Sequence, residues 1–153
     1  MDVPKTVELR ETLLIVEDDM LIAMSLQYAL EDAGYRVLDL TDRPQEAVSA
    51  ALELQPDLAL VNIDLGGRDD GIDLARELKK IGVPSLFISG QVNRARSAHT
   101  AAVGSLPKPY SPSDMVIAVA YLLAHLRGDE SHPRPPGLEV FGEAPGEVVP
   151  EPV

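Results

Sequence analysis

Leu13-Leu14-Ile15-Val16-Glu17-Asp18-Asp19 is the stretch of this sequence that decides the fold, because an apolar run stops there on three consecutive acids. The same pattern returns in residues 58–62, 86–89 and 105–108, where each apolar run ends on polar side chains. Short continuous apolar runs are typical of strands buried on both faces of a parallel sheet. If these runs are parallel strands, their polar ends meet at one edge of the sheet, where open α/β folds bind ligands.

Segments with helical spacing separate these runs. Strands are predicted at 12–16, 35–40, 57–62, 83–89 and 105–106, and helices at 19–33, 42–54, 71–81, 91–103 and 111–127. Five repeats of strand and helix predict an α/β fold, with a parallel sheet covered on both faces and right-handed crossovers. Residues 63–70 are predicted to form a loop in which Gly66-Gly67 turns the chain.

The length of 153 residues fits one domain and a tail. Residues 1–11 are predicted to be a loose lead-in and residues 12–127 the folded domain. Residues 128–153 are acidic and rich in proline, and they are predicted to be a disordered tail. Leu138-Glu139-Val140-Phe141 is the clearest apolar patch of this tail, and it is either passive or a short docking motif.

Composition and charge exclude several classes of function. The net charge of −12 argues against direct binding of nucleic acid, because like charges repel. The absence of cysteine excludes a disulfide framework and a thiolate metal site. No apolar stretch is long enough to span a bilayer, and the first residues do not form a signal sequence. We therefore expect a cytoplasmic protein that does not contact a membrane.

The polar strand ends carry chemistry when they are taken together. Glu17 and Asp18 offer the hard oxygen ligands that suit Mg²⁺. Lys108 lies between two prolines and can reach a phosphoryl or carboxylate oxygen, and Pro109 permits a cis peptide that would aim this lysine inward. Ser89 offers a hydroxyl. Each residue alone is more simply explained as a solvated turn residue, whereas all of them at one edge favour a functional site.

This chain resembles the receiver domains of two-component response regulators over about residues 11–127. The resemblance rests on residues 14–19, 56–62, 87–90 and 106–110, which occur in the family's order. It implies a flavodoxin-like, doubly wound sheet of five parallel strands in the order 2-1-3-4-5, flanked by five helices. It also implies a cytoplasmic bacterial signalling protein that is not an enzyme beyond accepting a phosphoryl group onto its own aspartate.

The resemblance also implies roles for single residues. Glu17 and Asp18 match the acid pair that holds Mg²⁺, and the backbone carbonyl of Asp64 matches a further ligand. Ser89 matches the switch hydroxyl, and Lys108 matches the lysine that pairs with the phosphoryl group. The implied partners are a histidine kinase or phosphotransfer protein upstream and another protein downstream.

Asn62 departs from the family pattern, because it falls at the position of the phosphoacceptor aspartate, which is also a metal ligand. An amide oxygen is uncharged and a poor nucleophile, so it cannot form an acyl phosphate. Its lower charge should weaken Mg²⁺ binding without abolishing the site. We therefore expect phosphorylation to be blocked or altered, and Asp64 could be the acceptor only if the third strand slipped by one pleat. Ser105 likewise replaces the aromatic residue that usually switches in this family.

Output through protein contacts is expected, because the tail is too short and proline-rich for a helix-turn-helix. The family uses the face formed by the fourth helix, fifth strand and fifth helix, which here carries Arg94, Arg96, His99, Ser105 and Tyr110.

One alternative to a receiver is a small phosphatase or phosphotransfer enzyme on a similar sheet. Another is a nucleotide-binding protein that uses Gly66-Gly67, although that pair lacks the rest of a phosphate-binding motif.

Overall fold

The structure is a computed structural model that describes residues 10–65 and 70–142. Within these ranges, six strands form one sheet in the order β2-β1-β3-β4-β5-β6. The strands are β1 (Thr12–Val16), β2 (Arg36–Thr41), β3 (Leu58–Asn62), β4 (Ser85–Ser89), β5 (Gly104–Pro107) and β6 (Glu139–Val140). The α-helices are α1 (Met20–Asp32), α2 (Pro44–Leu54), α3 (Asp70–Lys80), α4 (Val92–Ser97) and α5 (Pro112–Leu126).

The predicted architecture is confirmed for the first five strands. They are all parallel and follow the order 2-1-3-4-5, and helices alternate with them. The sixth strand is an addition, because β6 pairs antiparallel with the outer edge of β5. No helix in the described ranges is both long and apolar enough to cross a membrane.

The core lies on both faces of the sheet because side chains of a strand alternate between its faces. Leu13 and Ile15 of β1 pack on one face with residues of α1 and α5. Leu14 and Val16 pack on the other face with residues of α2 and α3. A strand covered in this way has no polar side, which explains why the run at the start of the chain is continuously apolar.

Side-chain caps fix where two helices begin. The Asp19 carboxylate accepts hydrogen bonds from the backbone N–H groups of Leu21 and Ile22, so α1 starts directly after the acids that end β1. Ser111 and Asp114 form a reciprocal capping box at the start of α5.

The fourth helix is shorter than predicted. Residues 91–103 were expected to form one helix, but α4 ends at Ser97 and a 3₁₀ turn follows at His99–Ala101. The buried side chains of this segment are Ala95, Ala98 and Ala101, which are spaced by three residues. A spacing of three keeps them on one face when the chain winds at the three residues per turn of a 3₁₀ helix.

The structure departs from the predicted disordered tail at residues 138–140. Leu138 and Val140 are buried in the core, and Glu139 lies between them in β6. This alternation is the period of a strand, and the outer edge of β5 supplies backbone partners for it. The acidic, proline-rich composition of the tail as a whole predicts disorder, but Leu138 and Val140 have the two-residue spacing of a short strand. Residues 1–9, the Gly66-Gly67 pair and residues 143–153 lie outside the described ranges.

Gly71 lets the start of α3 pack directly against the end of β3. Its backbone N–H donates to the Ile63 carbonyl at 3.1 Å. A Cβ at this position would lie 2.2 Å from the Asn62 carbonyl oxygen and 2.7 Å from the Ile63 Cα. Because both atoms belong to the backbone, no side-chain rotation can relieve the overlap, and a glycine is required where the chain leaves the sheet.

We predict that Gly71→Ala lowers the free energy of unfolding by at least about 2 kcal/mol, the usual cost of forcing an atom into a packed site. Urea denaturation followed by circular dichroism measures this change. Gly90→Ala is the matched control, because nothing lies within 4 Å of a Cβ at Gly90. Equal stability of the two variants would contradict the close packing of α3 on β3.

Candidate functional site at the carboxyl edge of the sheet

Polar side chains from four neighbouring strands meet at one edge of the sheet, as predicted. Glu17 and Asp18 follow β1, and Asn62 is the last residue of β3. Ser89 ends β4, and Lys108 follows β5. The parallel register brings these ends level, because Asn62 lies opposite Ile88 of β4 and Ser89 lies opposite Pro107 of β5.

The side-chain amide of Asn62 is the centre of this cluster. Its Nδ2 donates to Glu17 Oε2 and to Asp18 Oδ1, each at 3.2 Å. Its Oδ1 accepts from the backbone N–H of Asp64 at 3.2 Å, and Lys108 Nζ lies 3.5 Å from the same oxygen. Carboxylates only accept and an ammonium only donates, so only this orientation of the amide satisfies both sides.

Burial raises the pKa of Glu17 above its ordinary value of 4.5. The neighbouring Asp18 carboxyl raises this pKa further, whereas the backbone N–H of Asp19, the charge of Lys108 and the amide of Asn62 lower it. Glu17 is only 1% exposed, and its Oε1 has no hydrogen-bond partner in the described structure. A carboxylate held in this way has one hydrogen-bonded oxygen and one buried oxygen left to bind a cation.

The cluster fits a divalent cation, although with few protein ligands. The described residues contain no group of three or more acidic, His or Cys side chains arranged to hold a metal. Glu17 Oε1 lacks a hydrogen-bond partner in the described structure, and the neighbouring Asp18 carboxylate, whose Oδ1 accepts from Asn62, offers further hard oxygen atoms. Mg²⁺ accepts such a site, because it keeps several waters and needs only one or two carboxylates. The donor set is therefore suited to weak binding of Mg²⁺.

Asp64 does not take the place of an acceptor between Glu17 and Lys108. Its carboxylate forms an ion pair with Arg94 Nη1 at 2.7 Å. The register of β3 is the predicted one, with Asn62 as its last residue, so the slip that would have moved Asp64 inward is not observed. The sequence analysis assigned Arg94 to an output face and missed this pair. Asp64 lies in a loop and Arg94 in α4, 30 residues later, and no local pattern links them.

Ser89 lies at the edge but its hydroxyl is engaged locally. Its Oγ accepts from the Gln91 N–H at 2.8 Å and donates to the Gln91 carbonyl at 3.0 Å. The Ser89 carbonyl accepts from the backbone N–H of Lys108 at 2.8 Å, which ties the ends of β4 and β5 together. The Lys108–Pro109 peptide is cis, as the sequence allowed.

Tyr110 follows this cis peptide and is half-buried. Burial, and then the negative charge of Glu17, raise the pKa of Tyr110 to about 12. The phenol is therefore neutral at physiological pH and adds no negative charge to the cluster.

The chain is similar in sequence to the receiver domains of response regulators. The family model for the response regulator receiver domain matches residues 13–120. Transcriptional regulatory protein PdtaR of Mycobacterium tuberculosis is 33% identical over 120 residues, which cover 74% of this chain and 57% of PdtaR. Phosphate regulon transcriptional regulatory protein PhoB of Pseudomonas aeruginosa is 31% identical over 140 residues, which cover 86% of this chain and 58% of PhoB. The chain thus spans a little more than half the length of these curated relatives.

Solved structures of receiver domains are also similar to this chain. The signal receiver domain of a modulated diguanylate cyclase from Desulfovibrio desulfuricans is 34% identical with a TM-score of 0.69, covering 77% of this chain and 97% of that chain. A CheY-like response regulator receiver domain protein from Methanospirillum hungatei is 25% identical with a TM-score of 0.69, and the match covers 78% of this chain and 98% of that chain.

We predict that Glu17→Gln becomes more stable relative to the wild type as the pH rises above 4.5. The raised pKa means that folded Glu17 holds its proton more tightly than unfolded Glu17, so the wild type loses stability as the pH rises through this window. Glutamine can still accept the hydrogen bonds from Asn62 and Asp19. Urea unfolding without Mg²⁺, from about pH 4 to about pH 8, measures the difference.

The control is Glu53→Gln, which makes the same substitution at an exposed position in α2. A stability difference between Glu17→Gln and the wild type that stays constant or shrinks with rising pH would refute the raised pKa of Glu17.

Proposed function

The chain belongs to the response regulator receiver family, and from this membership we propose that it is a receiver module in which Asn62 blocks phosphorylation and which signals through contacts with other proteins. The observation that carries the proposal is the Asn62 amide, which lies between the acid pair and the lysine and hydrogen-bonds both acids. Receivers of this family work with histidine kinases and downstream proteins, and these are the classes of partner that we propose here.

The position of Asn62 supports a blocked acceptor. In the family the last residue of the third strand is the aspartate whose carboxylate attacks a phosphoryl donor. Here β3 ends on an amide that is 3% exposed. An amide oxygen carries no charge and is a poor nucleophile, so the attack does not occur at this residue.

The hydrogen bonds of the amide support a conformation that does not depend on phosphate. In a receiver with aspartate at this position, neighbouring carboxylates repel one another and require a cation. Asn62 instead donates to Glu17 and Asp18 and offers its oxygen to Lys108. The groups that would respond to a phosphoryl group are thus already engaged, and the sequence itself sets the state of the module.

Glu17 and Asp18 would hold Mg²⁺, with the side chain of Asn62 and the backbone carbonyl of Asp64 as the further ligands that the family implies. A bound Mg²⁺ would offset negative charge on phosphoryl oxygens. Lys108 would orient the same oxygens, and Ser89 would do so only after its hydroxyl leaves the turn at Gln91.

Asp64 is the weaker candidate for an acceptor. Its carboxylate pairs with Arg94 and lies beyond the end of β3. Accepting a phosphoryl group there would require this ion pair to open and the third strand to shift, whereas a block at Asn62 requires no rearrangement.

We predict that Asn62→Asp accepts a phosphoryl group and that the wild type does not. The substitution places a charged nucleophile beside Glu17, Asp18 and Lys108, which the structure already holds in position. The measurement is intact mass after incubation with Mg²⁺ and a small phosphodonor such as acetyl phosphate.

Two further variants control this experiment. Asn62→Asp combined with Lys108→Ala should lose most of the label, because the phosphoryl oxygens lose their cationic partner. Asp64→Asn tests the other acceptor. If the wild type gains mass and Asp64→Asn does not, Asp64 is the acceptor and the proposed block is wrong. If Asn62→Asp gains none while it remains folded, the pocket assignment is wrong.

We also predict that Asn62→Asp binds Mg²⁺ at least about tenfold more tightly than the wild type, because a full negative charge a few ångströms from the ion replaces a neutral amide. Isothermal titration calorimetry measures both affinities. The charge-matched control is Asn93→Asp, which adds an acid at an exposed position in α4. Equal affinities in the wild type and Asn62→Asp would show that residue 62 does not face the ion.

A further inference from the structure

Residues 137–141, which we call the strap, lie along the outer edge of β5. Val140 lies opposite Gly104 and Glu139 lies opposite Ser105 in an antiparallel ladder. The backbone N–H of Phe141 donates to the Val103 carbonyl at 2.9 Å and extends this contact. The strap therefore covers the edge strand of the face that carries α4, β5 and α5.

Each strap side chain occupies a place on this face. Leu138 and Val140 are 6% and 9% exposed and pack into the core beside α5. Glu139 forms an ion pair with Arg96 of α4 at 2.7 Å. The ring of Phe141 meets His99 edge to face, with 6.3 Å between the ring centres. The groove thus receives two apolar side chains, one acid and one aromatic ring in an extended chain.

The attachment of the strap is weak compared with the other strands. Its regular ladder has two residues, whereas β1, β3 and β4 have five each. The residues between α5 and the strap are mostly exposed apart from Pro135, which is buried, and the exposed ones include Pro133 and Pro136, which have no N–H to donate. A two-residue strand at the edge of a sheet opens at a lower free energy than the longer strands at its centre.

We propose that the β5 edge and α4 form a docking groove for an extended segment of a partner protein, and that the strap is an internal competitor for it. The partner segment pairs antiparallel with β5 and adds a strand to the sheet. It carries an acidic residue for Arg96, apolar residues on either side of the acid and an aromatic residue for His99. The inference rests on the proposed function only for the statement that output occurs through protein contacts, and it does not require a block at Asn62.

Gly104 allows this mode of pairing to be tested. A Cβ at Gly104 would lie 2.6 Å from the backbone carbonyl oxygen of Glu139, whereas its next contact, with Leu122 Cδ2, would be an ordinary 3.6 Å. An alanine at this position therefore blocks any strand seated as the strap is. It does so without overlapping the core of the domain.

The test uses the full chain and a labelled peptide with the sequence of residues 136–142. Val140→Asp puts a charge into a buried strap position, releases the strap and leaves the groove intact. We expect the peptide to bind Val140→Asp at least about tenfold more tightly than the wild type, because the apparent Kd is the intrinsic Kd divided by the fraction of open groove. Fluorescence anisotropy measures both affinities.

Two double variants and one altered peptide locate the binding site. Val140→Asp with Gly104→Ala should lose peptide binding, and Val140→Asp with Gly90→Ala should keep it. A peptide with arginine in place of the residue equivalent to Glu139 should bind Val140→Asp weakly, because it faces Arg96. Should Val140→Asp fail to fold, Glu139→Arg serves as the release variant, since Glu139 is only partly buried and its loss leaves no cavity.

Three outcomes would overturn the proposal. The first is a folded release variant that does not bind the peptide. The second is equal binding to the wild type and the release variant, which would show that the strap does not compete. The third is a wild-type dimer in light scattering that Gly104→Ala dissociates, which would assign the edge to the strap of a second copy. None of these measurements uses Mg²⁺ or a phosphodonor, so their failure is separate from a failure of the proposed block.

Discussion

The parallel pairing of β1, β3, β4 and β5 is the constraint on which the rest of this structure depends. Buried backbone groups must be hydrogen-bonded, and the parallel ladder meets this requirement. The hydrophobic pattern selects the register, and the observed register brings four strand ends to one edge. The acids after β1, the amide that ends β3 and the lysine after β5 then lie close together. The functional site is thus a consequence of the sheet.

Within that site, our proposal rests on a single atom of residue 62. An amide nitrogen in place of a carboxylate oxygen turns repulsion into two hydrogen bonds, from Asn62 to Glu17 and to Asp18. In our proposal the internal amide takes over part of the stabilising role of a cation, and the strap takes over the place of a partner segment at the β5 edge. In that proposal, contacts within the chain are what hold the module in one state.

Much of the fold and most of the site could be predicted from the sequence, because the relevant signals are local. The continuous apolar run at residues 13–16 indicates a strand buried on both faces, and the polar residues that follow it indicate the edge where ligands bind. The Ser111–Asp114 cap lies within a few residues of the helix it starts. The helix predicted at 91–103 was too long, because three alanines at a spacing of three suit a 3₁₀ turn as well as an α-helix.

The sequence by itself determined the alternation of strands and helices, the parallel sheet and the polar residues at its carboxyl edge, since these follow from periodicity and strand ends. Only the tertiary structure decided which of those residues touch. The pairing of Asp64 with Arg94, the orientation of the Asn62 amide and the docking of Leu138 and Val140 join segments far apart in the chain. Such contacts depend on the register of the strands and on the outer edge of β5 being open for pairing, and no local sequence pattern encodes either.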